Sequence, residues 1–328
     1  MKTRLGCQLD SNARRRWRRR LLEWYDGNAR DLPWRRDRDP YRVWLSEVML
    51  QQTRVGAVLA HYRLFLQRFP TVQKLAAARE SSVLAVWSGL GYYRRARMLH
   101  TAAKLVVRKH QGIFPSTVAG LRELPGIGRY TAAAIASIAF NTPAAVVDGN
   151  VERVLVRVFR TNLAEKDLWQ AAEDLLSKSQ PGDFNQAMME LGATVCLPRQ
   201  PRCSICPVFD LCASRGNSDR PGKTTRQQQR KICYALDLRD RSIFLVQRPK
   251  HSSLMPDMWE LPEIPTDQAA ARASLTLRHS ITVTDYTVRV TEGAVQNGTP
   301  GRWVRQERIA RLPLTGLARK ILRQAKVI

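Results

Sequence analysis

The 328-residue sequence predicts a mainly α-helical domain followed by a small α+β domain, on three observations. Apolar residues recur at three and four positions from residue 12 to 215, a polar basic stretch follows, and strand-like alternation begins only beyond it. The length suits about two domains, each with its own core.

Along the first domain, helices are punctuated by turns such as Phe69-Pro70 and Phe114-Pro115. An arginine-rich run at residues 14–20, broken only by Trp17, is either a phosphate contact or a solvated helix face. Further on, Leu124-Pro125-Gly126-Ile127-Gly128 leads into Thr131-Ala132-Ala133-Ala134-Ile135. Gly126 and Gly128 lack Cβ atoms, so a tight turn can aim the backbone N–H groups of the following helix at a phosphate. This is a helix-hairpin-helix pattern; an ordinary glycine-rich turn is its alternative. Another helix is expected to start near Asn150, just after Asp148.

The helical region ends in a ladder of four cysteines, Cys196, Cys203, Cys206 and Cys212. Such short spacing lets four thiolates converge on one metal centre, and leaves zinc and a 4Fe-4S cluster both open, with disulfides disfavoured in a reducing compartment. Cys7 and Cys233 stand apart and read as unliganded thiols. Residues 213–231 are polar and basic with almost nothing to bury, so 216–230 is expected to be a linker between domains at 12–215 and 231–328. Beyond it, residues 232–238 and 242–248 flank Arg239-Asp240-Arg241 as a hairpin, 280–290 alternates as a further strand, and 314–326 reads as a closing helix.

Lys and Arg total 54 against 28 acidic residues, a formal charge of +26. Such a field attracts phosphate polymers, with nucleic acid favoured over membrane because no amphipathic anchor or long apolar run is evident. The N-terminal residues lack the apolar core of a secretion signal, so a soluble intracellular protein is expected.

The helix-hairpin-helix followed by the C-x6-C-x2-C-x5-C ladder resembles the endonuclease III-like superfamily of DNA glycosylases. Within it, Leu32-Pro33-Trp34-Arg35, residues 44–53 (WLSEVMLQQT), Gly89-Leu90-Gly91-Tyr92-Tyr93 and Val147-Asp148-Gly149-Asn150-Val151 resemble the MutY family of adenine DNA glycosylases. The likeness covers nearly all of residues 20–212 and weakens after the linker. It implies a helix-hairpin-helix glycosylase domain with an iron-sulfur module at 196–212, a 4Fe-4S cluster rather than zinc, and a small Nudix-like domain. As partner it implies duplex DNA carrying adenine opposite 8-oxoguanine or guanine; a monomer is the default expectation, and the expected place is a bacterial cytoplasm, at the nucleoid.

Releasing adenine requires a proton on the departing base and negative charge near an oxocarbenium-like sugar. Glu47, with Trp44 three positions before it and Gln51 four after, lies among Val43, Val48 and Leu50, a semi-apolar setting that would raise its pKa; a surface charge is the alternative. Asp148 at a helix N-terminus favours its ionised form, although plain helix capping by Asp148 and Asn150 is the alternative. By resemblance, Glu47 protonates adenine N7, Asp148 stabilises or transiently bonds the anomeric carbon, and Asn150 orients Asp148. Where the superfamily's lyases place a Schiff-base lysine, this chain has Tyr130, which implies a monofunctional enzyme.

Gln52 and Tyr92 match residues that wedge into the duplex, and Arg30, Leu32 and Trp34 match residues near an adenine pocket. In the last domain no Nudix catalytic box is present. The family's Phe-Ser-His triplet is also missing: after Arg278-His279 the chain reads Ser280-Ile281-Thr282-Val283, where Thr282 could donate in place of the serine but Val283 cannot replace the histidine. A weakened preference for 8-oxoguanine is therefore expected. Two other readings stay open, a mismatch glycosylase for thymine or uracil and a non-catalytic iron-sulfur protein that binds distorted DNA.

Overall fold

The computed structural model describes residues 9–160, 163–216, 228–265, 274–281, 284–296 and 298–328. In chain order the helices are α1 (Ser11–Asn28), α2 (Pro40–Leu50), α3 (Val55–Arg68), α4 (Val72–Ala76), α5 (Glu80–Trp87), α6 (Tyr93–His110), α7 (Val118–Arg122), α8 (Arg129–Phe140), α9 (Gly149–Phe159), α10 (Glu165–Leu175) and α11 (Pro181–Thr194). Then come the strands β1 (Gln228–Leu236), β2 (Leu238–Arg239), β3 (Ser242–Gln247), β4 (Trp259–Glu260), β5 (Glu263–Ile264), β6 (Leu275–Ile281), β7 (Thr284–Glu292) and β8 (Arg302–Arg305). Two helices, α12 (Gln306–Ile309) and α13 (Gly316–Gln324), close the chain.

Two compact units emerge, each assembled from two stretches of sequence. One comprises Met1–Gln52 with Leu105–Pro221, the other Thr53–Lys104 with Gly222–Ile328. These differ from the linear division at 12–215 and 231–328, and the hydrogen bonds give the reason. Ser88 Oγ and Tyr93 Oη donate to the Leu314 carbonyl at 2.7 and 3.1 Å, and Arg97 Nη2 donates to the Pro256 carbonyl at 2.7 Å. The helices after Thr53 are thereby tied to the chain's last hundred residues.

In the first unit, α1 is capped by Asp10, whose carboxylate accepts from Ala13 N at 2.7 Å. Ala13, Trp17, Leu21 and Tyr25, four positions apart, form its buried stripe. The arginine run alternates around that stripe; Arg18 turns to donate to the Leu175 and Asp174 carbonyls at the end of α10. The α2 helix starts on Asp39-Pro40 and is buried from Tyr41 to Met49 except at Arg42, and α8 is buried from Thr131 to Ile138. A helix covered on nearly every side places any polar side chain it carries in the protein interior.

In the second unit, β5-β1-β7-β6 form one sheet, and β2-β3-β4 with β8 against β3 form the other. Tyr234, Leu236, Ile243, Leu245, Trp259 and Val288 belong to the shared core, which α13 completes with Leu317, Ile321 and Leu322. Three expectations need correction. The hairpin is β2–β3, with Leu238 opposite Ile243 and Arg239 opposite Ser242, while the longer β1 pairs with β5 and β7 instead. Its turn is two residues, Asp240 and Arg241, both left-handed (φ 45° and 57°), the backbone a twisted two-residue hairpin demands. Strand β1 begins at Gln228, inside the expected linker, because pairing with Thr284 onward in β7 extends it. The run 280–290 belongs to two antiparallel strands, β6 and β7, with His279 opposite Tyr286. Linker residues 217–227, Cys7, Thr282 and Val283 lie outside the described residues. Among the described residues, no helix is long and apolar enough to cross a membrane.

Candidate active site and cluster module

Glu47 lies in the last half of α2 and is only 6% exposed. Burial pushes its carboxyl up from 4.5 to about 7, aided by the charge of Asp148 and opposed by a Tyr130 hydrogen bond and the charge of Arg35. The Tyr130 hydroxyl, from the first turn of α8, donates to Glu47 Oε2 at 2.8 Å, with Met189 Sδ 3.2 Å away. Burial, then the charges of Glu47 and Asp148, hold the Tyr130 hydroxyl well above its ordinary pKa, so it stays a neutral donor. With Oε2 so occupied, Oε1 is left to carry a proton.

Asp148 is the N-cap of α9. Its Oδ1 accepts from the backbone N–H groups of Asn150 and Val151 at 2.9 and 2.7 Å, and its Oδ2 from the Asn150 side-chain amide at 2.9 Å. Three donors therefore fix both carboxylate oxygens. Asn150 is fixed in turn, because Arg153 Nη2 donates to its Oδ1 at 2.8 Å and to the Gly192 carbonyl at 2.7 Å. Gly192 permits this approach: a Cβ there would fall 2.6 Å from Asn150 Cβ.

Arg30 and Arg35 meet on Glu190 of α11. Arg30 Nε and Nη2 reach the two carboxylate oxygens at 2.6 and 2.7 Å, and Arg35 Nη2 joins at 2.7 Å. Burial would raise Glu190, but the two guanidinium groups outweigh it and bring its pKa down to about 2. Arg30 is thus committed to an ion pair while part of its side chain remains exposed, and Leu32 and Trp34 are buried beside it in sequence. Gln52 and Tyr92 are both exposed and both left-handed (φ 54° and 48°), a conformation non-glycine residues adopt where the fold enforces it.

In the hairpin, Gly126 has φ 80°, a value that only glycine adopts readily. Gly128 caps α8 without a side-chain hydrogen bond at φ −85°, and a Cβ on it would meet nothing within 4 Å. The chain's own packing does not require glycine at 128, whereas close approach of an external phosphate would.

Sequence reasoning missed Glu190, Arg153, Arg157 and Gly192. Each acts across 39 residues or more, apart from the contacts of Arg153 with Gly149 and Asn150, and no local pattern marks such a partner. Arg157 Nη1 lies 3.3 Å from Cys196 Sγ and also donates to the Leu197 carbonyl at 2.7 Å, while Arg153 Nε donates to the Cys196 carbonyl at 2.8 Å. The four cysteines of the ladder are half-buried. Burial, then the neighbouring cysteines, raise the thiols of Cys203 and Cys206, the latter to about 11 after a Val208 backbone hydrogen bond lowers it. Four soft donors that sense one another suit an iron-sulfur cluster, whose binding would deprotonate them. The thiols lie near enough to influence one another's protonation, while among the described residues no group of three or more His, Cys, Asp or Glu side chains is drawn close enough to hold a metal ion, so the ladder is grouped but not converged on one centre.

Comparison with known proteins is consistent with this geometry. Residues 45–178 match the family described as HhH-GPD superfamily base excision DNA repair protein, and residues 196–212 match the iron-sulfur binding domain of endonuclease III. Residues 196–212, the segment that carries the four cysteines, are therefore an iron-sulfur binding domain of the 4Fe-4S type, and zinc is set aside. The chain is 40% identical over 323 residues to a human adenine DNA glycosylase, covering 78% of this chain and 59% of that protein. It is 31% identical over 319 residues to the adenine DNA glycosylase of Schizosaccharomyces pombe, covering 76% of this chain and 69% of the other. A solved thermostable thymine-DNA glycosylase superposes with a TM-score of 0.59 at 31% identity, covering 63% of this chain and 98% of that one. The chain spans about half the length of the mammalian and plant relatives it matches.

Proposed function

The chain belongs to the HhH-GPD superfamily of base excision DNA repair proteins, among the adenine DNA glycosylases, and we propose that it removes adenine mispaired with 8-oxoguanine or guanine from duplex DNA by hydrolysing the N-glycosidic bond. The observation that carries this reading is the pair of unlike carboxylates: Glu47, buried and raised to about 7, and Asp148, held by three N–H donors at a helix N-terminus.

Near neutral pH a large share of Glu47 is protonated, which suits it to protonate adenine N7 as the base departs. The Tyr130 hydroxyl fixes the acid's orientation without offering an amine, so no Schiff base forms at this position and the product is an abasic site with intact backbone. Asp148 stabilises or transiently bonds the anomeric carbon, the division of labour of retaining glycosidases, and water completes the hydrolysis. Asn150 keeps Asp148 aimed. The adenine must leave the stack first, for which exposed Gln52 and Tyr92 are the proposed wedges. Gly126, Gly128 and the start of α8 would grip the backbone without reading sequence. The 4Fe-4S cluster supplies a structural clasp, since the hydrolysis needs no electrons.

The likeness to a thymine-DNA glycosylase favours one second reading, release of thymine from mispairs. A panel of labelled duplexes carrying adenine opposite 8-oxoguanine, adenine opposite guanine, thymine opposite guanine and uracil opposite guanine separates the two. Release from the adenine duplexes alone is expected; release confined to thymine or uracil would overturn the proposal.

A further inference from the structure

Behind the exposed ring of Tyr92 sits Arg95, a residue the mechanism above does not use. Gly89, Gly91 and Tyr92 have φ of 108°, 71° and 48°, so a tyrosine is held in a turn otherwise shaped by glycine. Tyr92 is 47% exposed. An exposed aromatic in such a turn keeps one orientation only if something beneath it does the holding.

The Arg95 guanidinium supplies that support from inside the fold. Its central carbon lies 5.2 Å from the Tyr92 ring centroid and 5.5 Å from that of the fully buried Trp87. Its Nη2 donates to Thr53 Oγ1 at 3.2 Å, and reaches the Gly91 and Leu90 carbonyls at 3.4 and 3.5 Å. Trp87 Nε1 donates to the same Gly91 carbonyl at 3.1 Å, and the Arg95 amide donates to the Tyr92 carbonyl at 2.8 Å. One planar cation thus touches the tyrosine ring, the aromatic core and the backbone that leads into the turn. A lysine could bring the charge but not the flat face or the fork.

We propose that Arg95 is a positioning residue for base extrusion: it braces the Tyr92 ring from below so that the ring meets the duplex already oriented. The inference rests on the reading of Tyr92 as a wedge. It makes base opening, rather than duplex affinity or proton transfer, the step that depends on Arg95.

The test places 2-aminopurine at the target position of a duplex and follows its fluorescence as the base unstacks, with wild type, Tyr92→Ala, Arg95→Met and the double variant. Melting and cluster absorbance verify that each variant is folded, and Arg95→Lys takes the same role if Arg95→Met does not fold. Arg95→Met is expected to lower the extrusion signal and the single-turnover rate by about tenfold with duplex affinity little changed. The double variant should be no worse than Tyr92→Ala alone. Losses that multiply in the double variant, or full extrusion by Arg95→Met, would overturn the inference while leaving the wedge reading intact. Wild-type extrusion by Tyr92→Ala would overturn the wedge reading and this inference together.

Discussion

Changing Glu47 to Gln should make the protein inactive and, above neutral pH, more stable. The side chain keeps its size and an oxygen to accept the Tyr130 hydroxyl but can no longer ionise. For the wild type, the sign follows from a folded pKa near 7 against an ordinary value of 4.5. Below 4.5 the carboxyl is protonated in both states and folding is unaffected. Between 4.5 and 7 only the unfolded chain ionises, so stability falls as pH rises. Above 7 the folded state holds an ionised carboxylate in a desolvated place, and the accumulated cost reaches about 3 kcal/mol. The assay is urea unfolding of cluster-loaded wild type and Glu47→Gln at pH 5 and pH 8. The variant's advantage should grow by roughly 2–3 kcal/mol between those conditions. A difference that does not change with pH would refute the reasoning, because it would mean Glu47 titrates alike in folded and unfolded chains.

Other expectations follow from the same geometry. Gly128→Ala should melt like wild type yet bind duplex more weakly, as its Cβ would meet no atom of the protein within 4 Å but would face the expected phosphate; equal affinity by titration would count against the hairpin grip. Glu190→Gln, which removes the partner of two guanidinium groups, should cost about 3–5 kcal/mol in urea melts at neutral pH, and a loss below 1 kcal/mol would mean the pair is of the exposed, weakly stabilising kind. Cys203→Ser should abolish the visible absorbance and iron content of the purified protein; retained iron at wild-type levels would place the cluster elsewhere. Discrimination between 8-oxoguanine and guanine opposite adenine should be weaker than in relatives that carry the Phe-Ser-His triplet, and equal discrimination in a side-by-side assay would show that Thr282 and Val283 do not set it.

Much of this site could be read in the sequence because its signals are local. Asp148 stands two residues from Asn150, and an N-cap is a property of a few consecutive residues. Gly126 is legible for the same reason, since a left-handed turn names its own residue type. The hydrogen bond from Tyr130 to Glu47 spans 83 positions, and it exists only because α8 packs against α2. Sequence placed both residues and could not join them. Glu190 carried no signal at all: within α11 it resembles any helical glutamate until Arg30 and Arg35 close on it from 160 and 155 residues away. The arginine run was ambiguous between phosphate and solvent, and Arg18 took a third course by capping α10. In the second unit, alternation marks the strands but not their partners: it pairs β1 with the strand after its turn, whereas the fold pairs it with β7. Residues 53–104 pair with the C-terminal residues through Ser88, Tyr93 and Arg97, single polar contacts that no composition shift announces.

Single-turnover base release asks most directly whether adenine leaves through the buried protonated Glu47. The duplex carries one labelled strand with adenine opposite 8-oxoguanine, wild type is compared with Glu47→Gln, and each product is run with and without alkali. Strand cleavage that requires alkali, by wild type and not by the variant, is the predicted result. Adenine release at the wild-type rate by Glu47→Gln would exclude Glu47 as the acid, and scission without alkali would exclude a monofunctional enzyme.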